Sequence, residues 1–160
     1  MKRANRSGLT LDKVMAEFLK RPNFKKKRRY TIKDLAHINI AFINHDCQRY
    51  DTAGDYQELS PCVWNVHVSK MGNWRYQYMV MIHELVEMGL TRHNGVDWKD
   101  IDKFDMDNPD LEDPGTCPKA PYHHEHMFAM RIEKMLCTAF GISWDEYNKA
   151  FDRLKWRAKK

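Results

Sequence analysis

The chain has 160 residues, a length that suits one domain with a real hydrophobic core, and its formal net charge is +5. No uninterrupted apolar segment approaches the roughly 18 residues needed to span a bilayer, and the first residues contain no apolar signal-peptide core. These features argue against a membrane span, and we expect a soluble protein of the cytoplasm.

Charge is distributed unevenly along the chain. Residues 1–33 contain 12 Lys/Arg and 2 Asp/Glu, whereas residues 34–143 contain 9 and 17. Apolar residues recur at helical spacing from Leu11 to Leu19, which predicts a short helix inside a basic N-terminal extension, residues 1–33. The run Lys25–Arg29 is either a solvated linker or a contact for nucleic acid or an anionic surface. A domain is predicted to follow over residues 34–160.

Two short β-branched or aromatic segments, residues 38–43 and 63–68, are typical of strands. Polar turn residues bound both segments, and residues 48–56 between them predict a loop with a turn at Gly54. We expect the two strands to form a small antiparallel sheet.

Four helical segments are predicted after the second strand. Asn73 caps a helix that is expected to end at Gly89, and Asp97 caps a shorter one that contains Trp98 and Phe104. A long irregular loop is predicted from Asp105 to Pro121. A third helix then runs towards Gly141, and the capping box Ser143 to Glu146 opens a final one.

The first of these helices carries the most informative motif, His83-Glu84-Leu85-Val86-Glu87, inside an otherwise apolar run. Residues four apart lie on one face of a helix, so His83 and Glu87 can bind the same metal ion. Glu84, which points about 100° away from His83, can act as a general base on a neighbouring water. Tyr76, two turns earlier, could donate a hydrogen bond to a substrate oxyanion.

A catalytic zinc usually has three protein ligands and keeps one position for water. The third ligand could be His93 or a member of the cluster His123, His124 and His126. We favour His126, with His123 as a neighbour or alternate ligand and His93 as the second choice. One Zn²⁺ per chain is therefore expected. The four cysteines are widely separated and indicate neither a disulfide framework nor a thiolate zinc site.

The stretch from His83 to His93 resembles the metzincin pattern H-E-x-x-H-x-x-G-x-x-H, with Glu87 in place of the second histidine and Leu90 in place of the glycine. Longer strings resemble a family of small uncharacterised proteins encoded by phages and prophages. That likeness covers about residues 45–150 and implies a phage-related source, hence a host-cell cytoplasm, but no established activity. The strings are residues 48–55, 73–76, 83–87 and 120–126.

Together these observations predict a mostly helical α+β fold, in which a small antiparallel sheet packs on a central metal-binding helix as in a minimal zincin. The predicted function is zinc-dependent hydrolysis of a protein or peptide, with Glu84 as the base. One alternative is a dimetal carboxylate protein that also uses Glu125 and Glu133. Another is a nucleic-acid- or partner-binding protein in which the metal only stabilises the fold.

Overall fold

A computed structural model describes residues 37–154 of the chain. The predicted N-terminal extension, with its short helix and the Lys25–Arg29 run, lies outside these residues. The described part has an α+β fold of three strands and four helices, and about 53% of it is helical. None of the described helices combines the length and apolar character that crossing a membrane requires.

The sheet is mixed, and its strand order is β1-β3-β2. The strands are β1 His37–Ile43, β2 Gly54–Ser60 and β3 Val63–Ser69. Strand β1 pairs in parallel with β3, from His37 opposite Val63 to Ile43 opposite Ser69. Strand β2 pairs with β3 in the antiparallel direction, with Gly54 opposite Val68 and Ser60 opposite Val63.

The two predicted strands exist and pair with each other, but the predicted antiparallel arrangement was wrong. The difference arises from β2, whose first half falls in the predicted loop. Its sequence, GDYQELS, lacks the alternation of apolar and polar residues that reveals a strand. Because a tight turn at Cys62, φ 81°, joins β2 to β3 as a hairpin, β1 is left to pair with the opposite edge of β3.

Helix α1, Trp74–Asn94, packs across the sheet. One face of β3, made of Trp64, Val66 and Val68, is buried with Met79 and Val80 of the helix, as expected for side chains that alternate along a strand. The side chain of Asn73 accepts a hydrogen bond from the backbone of Arg75, so the predicted N-cap is confirmed.

The predicted end of α1 at Gly89 was wrong. The helix continues to Asn94 and ends at Gly95, which has the left-handed φ of 74° that such an end requires. Gly89 lies on the exposed face of the helix, with open space where a side chain would be, so this glycine is tolerated without a turn. The extra residues include Thr91, which contacts the candidate site described below.

The remaining helices are α2 Trp98–Asp107, α3 His123–Ala139 and α4 Trp144–Phe151, and Pro114–Thr116 forms a single 3₁₀ turn in the long loop. Asp97 caps α2 as predicted, and the Ser143 hydroxyl accepts from the backbone of Glu146 at the start of α4. Helix α3 packs against α1 and begins two residues after Pro121. All four cysteines are free thiols, and Cys137 is the buried one.

Candidate metal centre

Three predicted ligands converge between α1 and α3. His83 and Glu87 lie one turn apart on the buried face of α1, and His126 faces them from the first turns of α3. His83 Nε2 lies 3.2 Å from Glu87 Oε2 and 3.1 Å from His126 Nδ1, and the last two atoms are 2.9 Å apart. Within residues 37–154, no other three side chains of ligand type form such a group.

The dimensions of this triangle fit a metal ion. Zinc binds imidazole nitrogen and carboxylate oxygen at about 2.0–2.2 Å in a tetrahedron, which separates the ligand atoms by about 3.3 Å. The three measured edges, 2.9 to 3.2 Å, are close to that separation. The His83, Glu87 and His126 group could therefore hold a metal ion, with one tetrahedral position left for a water or a substrate atom.

Each imidazole has a carboxylate behind it. The other ring nitrogen of His83, Nδ1, lies 2.9 Å from Glu133 Oε2 on α3, and Nε2 of His126 lies 3.1 Å from Asp113 Oδ1 in the long loop. Metal-binding histidines usually donate their second N–H to such a partner, because that bond sets the tautomer and the ring orientation. The sequence motif gave no sign of these two partners.

Glu87 is held in the same manner through its second oxygen. The Tyr56 hydroxyl on β2 donates to Glu87 Oε1 at 3.2 Å, and the same hydroxyl lies 3.2 Å from Thr91 Oγ1. Glu87 Oε2 is thus the oxygen that faces the two imidazoles. Because Tyr56 belongs to the unpredicted strand and Thr91 to the unpredicted end of α1, sequence reasoning missed both contacts.

The charges in this group depend on one another. Burial would raise the pKa of Glu87, but hydrogen bonds from His126 and His83 lower it to about 2. Burial would lower the pKa of both histidines. Hydrogen bonds with Asp113 and Glu87 nevertheless raise the pKa of His126 to about 9. Glu133 and Glu87 likewise raise the pKa of His83 well above its usual value. Without a metal ion, protons on the imidazoles balance the carboxylates. A bound cation would displace those protons.

Glu84 lies beside the metal group, in the gap between α1 and β2. A Cβ atom on Gly54 would fall on the Glu84 carboxyl group, so a side chain at position 54 would collide with it. Burial raises the pKa of Glu84 well above its ordinary value; His83 opposes this shift and Glu87 adds to it. A buried carboxyl group with a raised pKa, next to a candidate metal site, is a candidate for acid–base chemistry.

His123 and His93 do not join the group. His123 Nδ1 lies 2.9 Å from the carbonyl oxygen of Gly115, in the 3₁₀ turn of the long loop. A Cβ atom on Gly115 would overlap the His126 ring, so the turn packs directly on that imidazole. His93 is exposed in the last turn of α1. Of the four histidines considered as the third ligand, only His126 belongs to the group with His83 and Glu87.

The other sequence-based suggestions have different surroundings. The Tyr76 hydroxyl donates to Glu146 of α4 at 2.8 Å, and Tyr76 does not line the cleft, which contradicts the suggested contact with an oxyanion. Glu125 Oε1 accepts from Asn94 at 2.5 Å, and Glu133 stands behind His83. The ligand group in the described residues contains neither glutamate, which leaves the dimetal alternative without support.

A cavity of about 90 Å³ opens onto the metal group. Its described lining includes aromatic rings and no lysine or arginine, and six carboxyl groups face it or border it: Asp55, Glu84, Glu87, Asp102, Asp105 and Asp113. Arg49 is not among the lining residues, but its guanidinium binds two of these carboxylates, Asp55 and Asp102, each at 2.6 Å. Arg49 therefore neutralises two of the six carboxylates, and the two imidazoles are the only basic side chains among the described lining residues.

No known family model, curated protein or solved structure matches this chain.

Proposed function

We propose that this protein is a zinc-dependent hydrolase of the peptidase type, with a zincin-like arrangement of helix and sheet. The observation that carries the proposal is the triangle of His83 Nε2, Glu87 Oε2 and His126 Nδ1, with Glu84 in the adjoining cleft. Two imidazoles, one carboxylate and an open position are the ligand set of catalytic zinc in several peptidases. The phage-related source and host-cell cytoplasm remain predictions of the resemblance.

The chemistry follows from the positions of these groups. When bound, zinc lowers the pKa of a coordinated water to about 7 and polarises a substrate carbonyl. Glu84 accepts the proton of the attacking water and delivers it to the leaving nitrogen, which is the role of a general base followed by a general acid. Tyr56 and Thr91 hold Glu87 so that only Oε2 is presented to the ion.

The lining of the cleft supports a peptide rather than a nucleic acid as substrate. No lysine or arginine of the described residues lines the cavity, so a phosphodiester backbone would find no cationic side chain there outside the metal group. Strand β2 lies at the edge of the sheet, and Gly54 at its start contacts Glu84. An extended peptide that paired with β2 near Gly54 would lie close to Glu84.

Zinc content tests the ligand assignment. We expect about one zinc per chain in the purified protein, and loss of that zinc in His83→Ala and in His126→Ala, measured by elemental analysis. His123→Ala and His93→Ala are the matched controls, because they remove an imidazole close in sequence that lies outside the group, and both should keep the metal. Zinc that persists in His83→Ala and His126→Ala would contradict the proposed site.

Glu84→Gln tests the reaction. This variant should keep its zinc and lose at least about 100-fold of the hydrolysis rate, the usual contribution of a general base. The assay compares wild type and variant on casein and on a mixed peptide library, with cleavage products identified by mass spectrometry. Zinc-loaded wild type that cleaves none of these substrates would remove the support for a peptidase.

A further inference from the structure

Behind His83, away from the cleft, a buried carboxylate and a buried hydroxyl form a chain to the metal group. We infer that Glu133 and Tyr147 are positioning residues that keep the His83 imidazole in the tautomer and orientation needed to bind the metal through Nε2. The inference rests on the proposed metal site, and it adds helix α4 to the structures that determine metal affinity.

The contacts are short and occupy both oxygens of the carboxylate. Glu133 Oε2 lies 2.9 Å from His83 Nδ1, and the Tyr147 hydroxyl donates to Glu133 Oε1 at 2.6 Å. The three side chains come from α1, α3 and α4, and their exposed fractions are 7%, 6% and 0% for His83, Glu133 and Tyr147. Because each contact comes from a different helix, packing of the helices fixes the carboxylate.

Tautomers explain why this chain points to a metal. A neutral imidazole has one N–H and one lone pair, and Glu133 can only accept, so the His83 proton belongs on Nδ1. The lone pair on Nε2 then faces Glu87 Oε2 and His126 Nδ1. Asp113 fixes the proton of His126 on Nε2 in the same way. With both rings neutral, three lone pairs converge at about 3 Å, an arrangement that needs a shared positive charge: protons on the rings in the metal-free protein, and a metal ion when one is bound.

Packing alone does not require these polar groups. Tyr147 contacts the rings of Tyr76, Trp144 and Phe151, and phenylalanine would preserve all of these contacts. A buried carboxylate is costly unless its oxygens are paired, and an apolar residue of similar size would avoid that cost at position 133. The hydroxyl of Tyr147 and the carboxylate of Glu133 therefore have a role in holding His83.

The test compares Tyr147 with Tyr76. Each hydroxyl donates to a glutamate, but only the glutamate bound by Tyr147 contacts a candidate metal ligand. Tyr147→Phe removes a hydroxyl whose partner, Glu133, contacts the metal ligand His83. Tyr76→Phe is the matched control, because its ring lies 5.7 Å from the ring of Tyr147 and its hydroxyl donates to Glu146, which is exposed at the start of α4. Glu133→Gln removes the charge behind His83 directly.

Zinc affinity is measured by competition with a chromogenic chelator, and the visible spectrum of the Co²⁺-loaded protein reports the ligand geometry. We expect Glu133→Gln to weaken zinc binding about 10- to 100-fold, the usual effect of losing such a partner. Tyr147→Phe should weaken it less, and both should shift the Co²⁺ bands. Tyr76→Phe should change neither quantity, although it also loses one hydrogen bond.

The outcomes separate this inference from the proposed function. Zinc-binding wild type together with unchanged affinity and Co²⁺ spectra in Glu133→Gln and Tyr147→Phe would overturn the positioning role and leave the metal site standing. Wild type that binds no zinc would overturn both. If Glu133→Gln does not fold, Tyr147→Phe against Tyr76→Phe decides, and equal behaviour of the two tyrosine variants contradicts the inference.

Discussion

Two glycines show how closely the backbone approaches the candidate site. We expect Gly115→Ala to weaken zinc binding, because its methyl group would overlap the His126 ring and displace either the ring or the 3₁₀ turn. Gly89→Ala is the control, since nothing lies near its Cβ position on α1, and it should stabilise the protein by about 0.5–1 kcal/mol. Chelator competition and urea unfolding measure the two effects. Unchanged zinc affinity in Gly115→Ala would contradict the close packing of the turn on His126.

Asp105 makes stability depend on pH. Burial raises the pKa of this carboxyl to about 7, against the opposing hydrogen bond from Tyr122. The folded protein therefore holds a proton that the unfolded chain releases near pH 4, so this residue lowers the free energy of unfolding as pH rises from about 4 to 7. Asparagine is uncharged at every pH and so imitates the protonated carboxyl group. Above pH 7 the free energy of unfolding of Asp105→Asn should therefore exceed that of wild type by up to about 4 kcal/mol.

The comparison is made by urea unfolding in the presence of a chelator, so that metal binding does not contribute. Wild type and Asp105→Asn should have similar stability at pH 4 or below, and the variant should be the more stable at pH 8. Equal pH dependence in the two proteins would show that Asp105 titrates normally.

At the scale of elements, Arg49 joins the unpredicted strand to a helix. Its guanidinium binds Asp55 of β2 through Nε and Nη2 and Asp102 of α2 through Nη1 and Nη2, at 2.6 to 3.1 Å. Two bidentate contacts require the planar fork of arginine, which lysine cannot supply. Arg49→Lys should therefore lower the free energy of unfolding by about 1–3 kcal/mol, less than for a fully buried pair because Arg49 is partly exposed.

Lys103→Ala is the control for the loss of an exposed ion pair on α2. Lys103 pairs with Asp107 on the exposed surface of the helix, where ion pairs contribute little, and the unfolding midpoint should stay unchanged. If both variants unfold at the wild-type urea concentration, Arg49 does not hold β2 to α2.

The elements were predicted with uneven success, for reasons that are local. Asn73, Asp97 and Ser143 cap helices because short polar side chains can accept from the first free backbone N–H groups, and this property is visible in sequence. The end of α1 was misplaced because Gly89 and Gly95 both suit a helix end, and only packing decides which is used. Strand β2 was missed because its sequence has no strand-like pattern. It is a strand because its backbone pairs with β3.

For the whole molecule, the basic run in the N-terminal extension predicts binding to an anionic polymer. Residues 25–29 are all lysine or arginine, which favours binding of an anionic polymer. Replacement of these five residues by glutamine should weaken DNA or RNA binding and reduce its salt dependence, as measured by fluorescence anisotropy between low and moderate salt. Glu84→Gln should bind as wild type does. Wild type that binds neither polymer at low salt would exclude this activity.

The sequence by itself determined what depends on neighbours along the chain. Helical spacing placed His83 and Glu87 on one face, with Glu84 beside them, and the buried position of that face in the fold is as expected from its apolar flanks. The α+β class was also predictable, because helical and strand-like segments were distinguished by their periodicity.

Only the tertiary structure decided which distant groups meet that face. The choice of His126 over His123 and His93 depends on how α3 packs against α1, and helical spacing does not encode that packing. The parallel pairing of β1 with β3, and the partners Glu133, Asp113 and Tyr56 behind the candidate ligands, arise in the same way. Such contacts join residues tens of positions apart, and they are fixed by the burial of the whole core rather than by any local pattern.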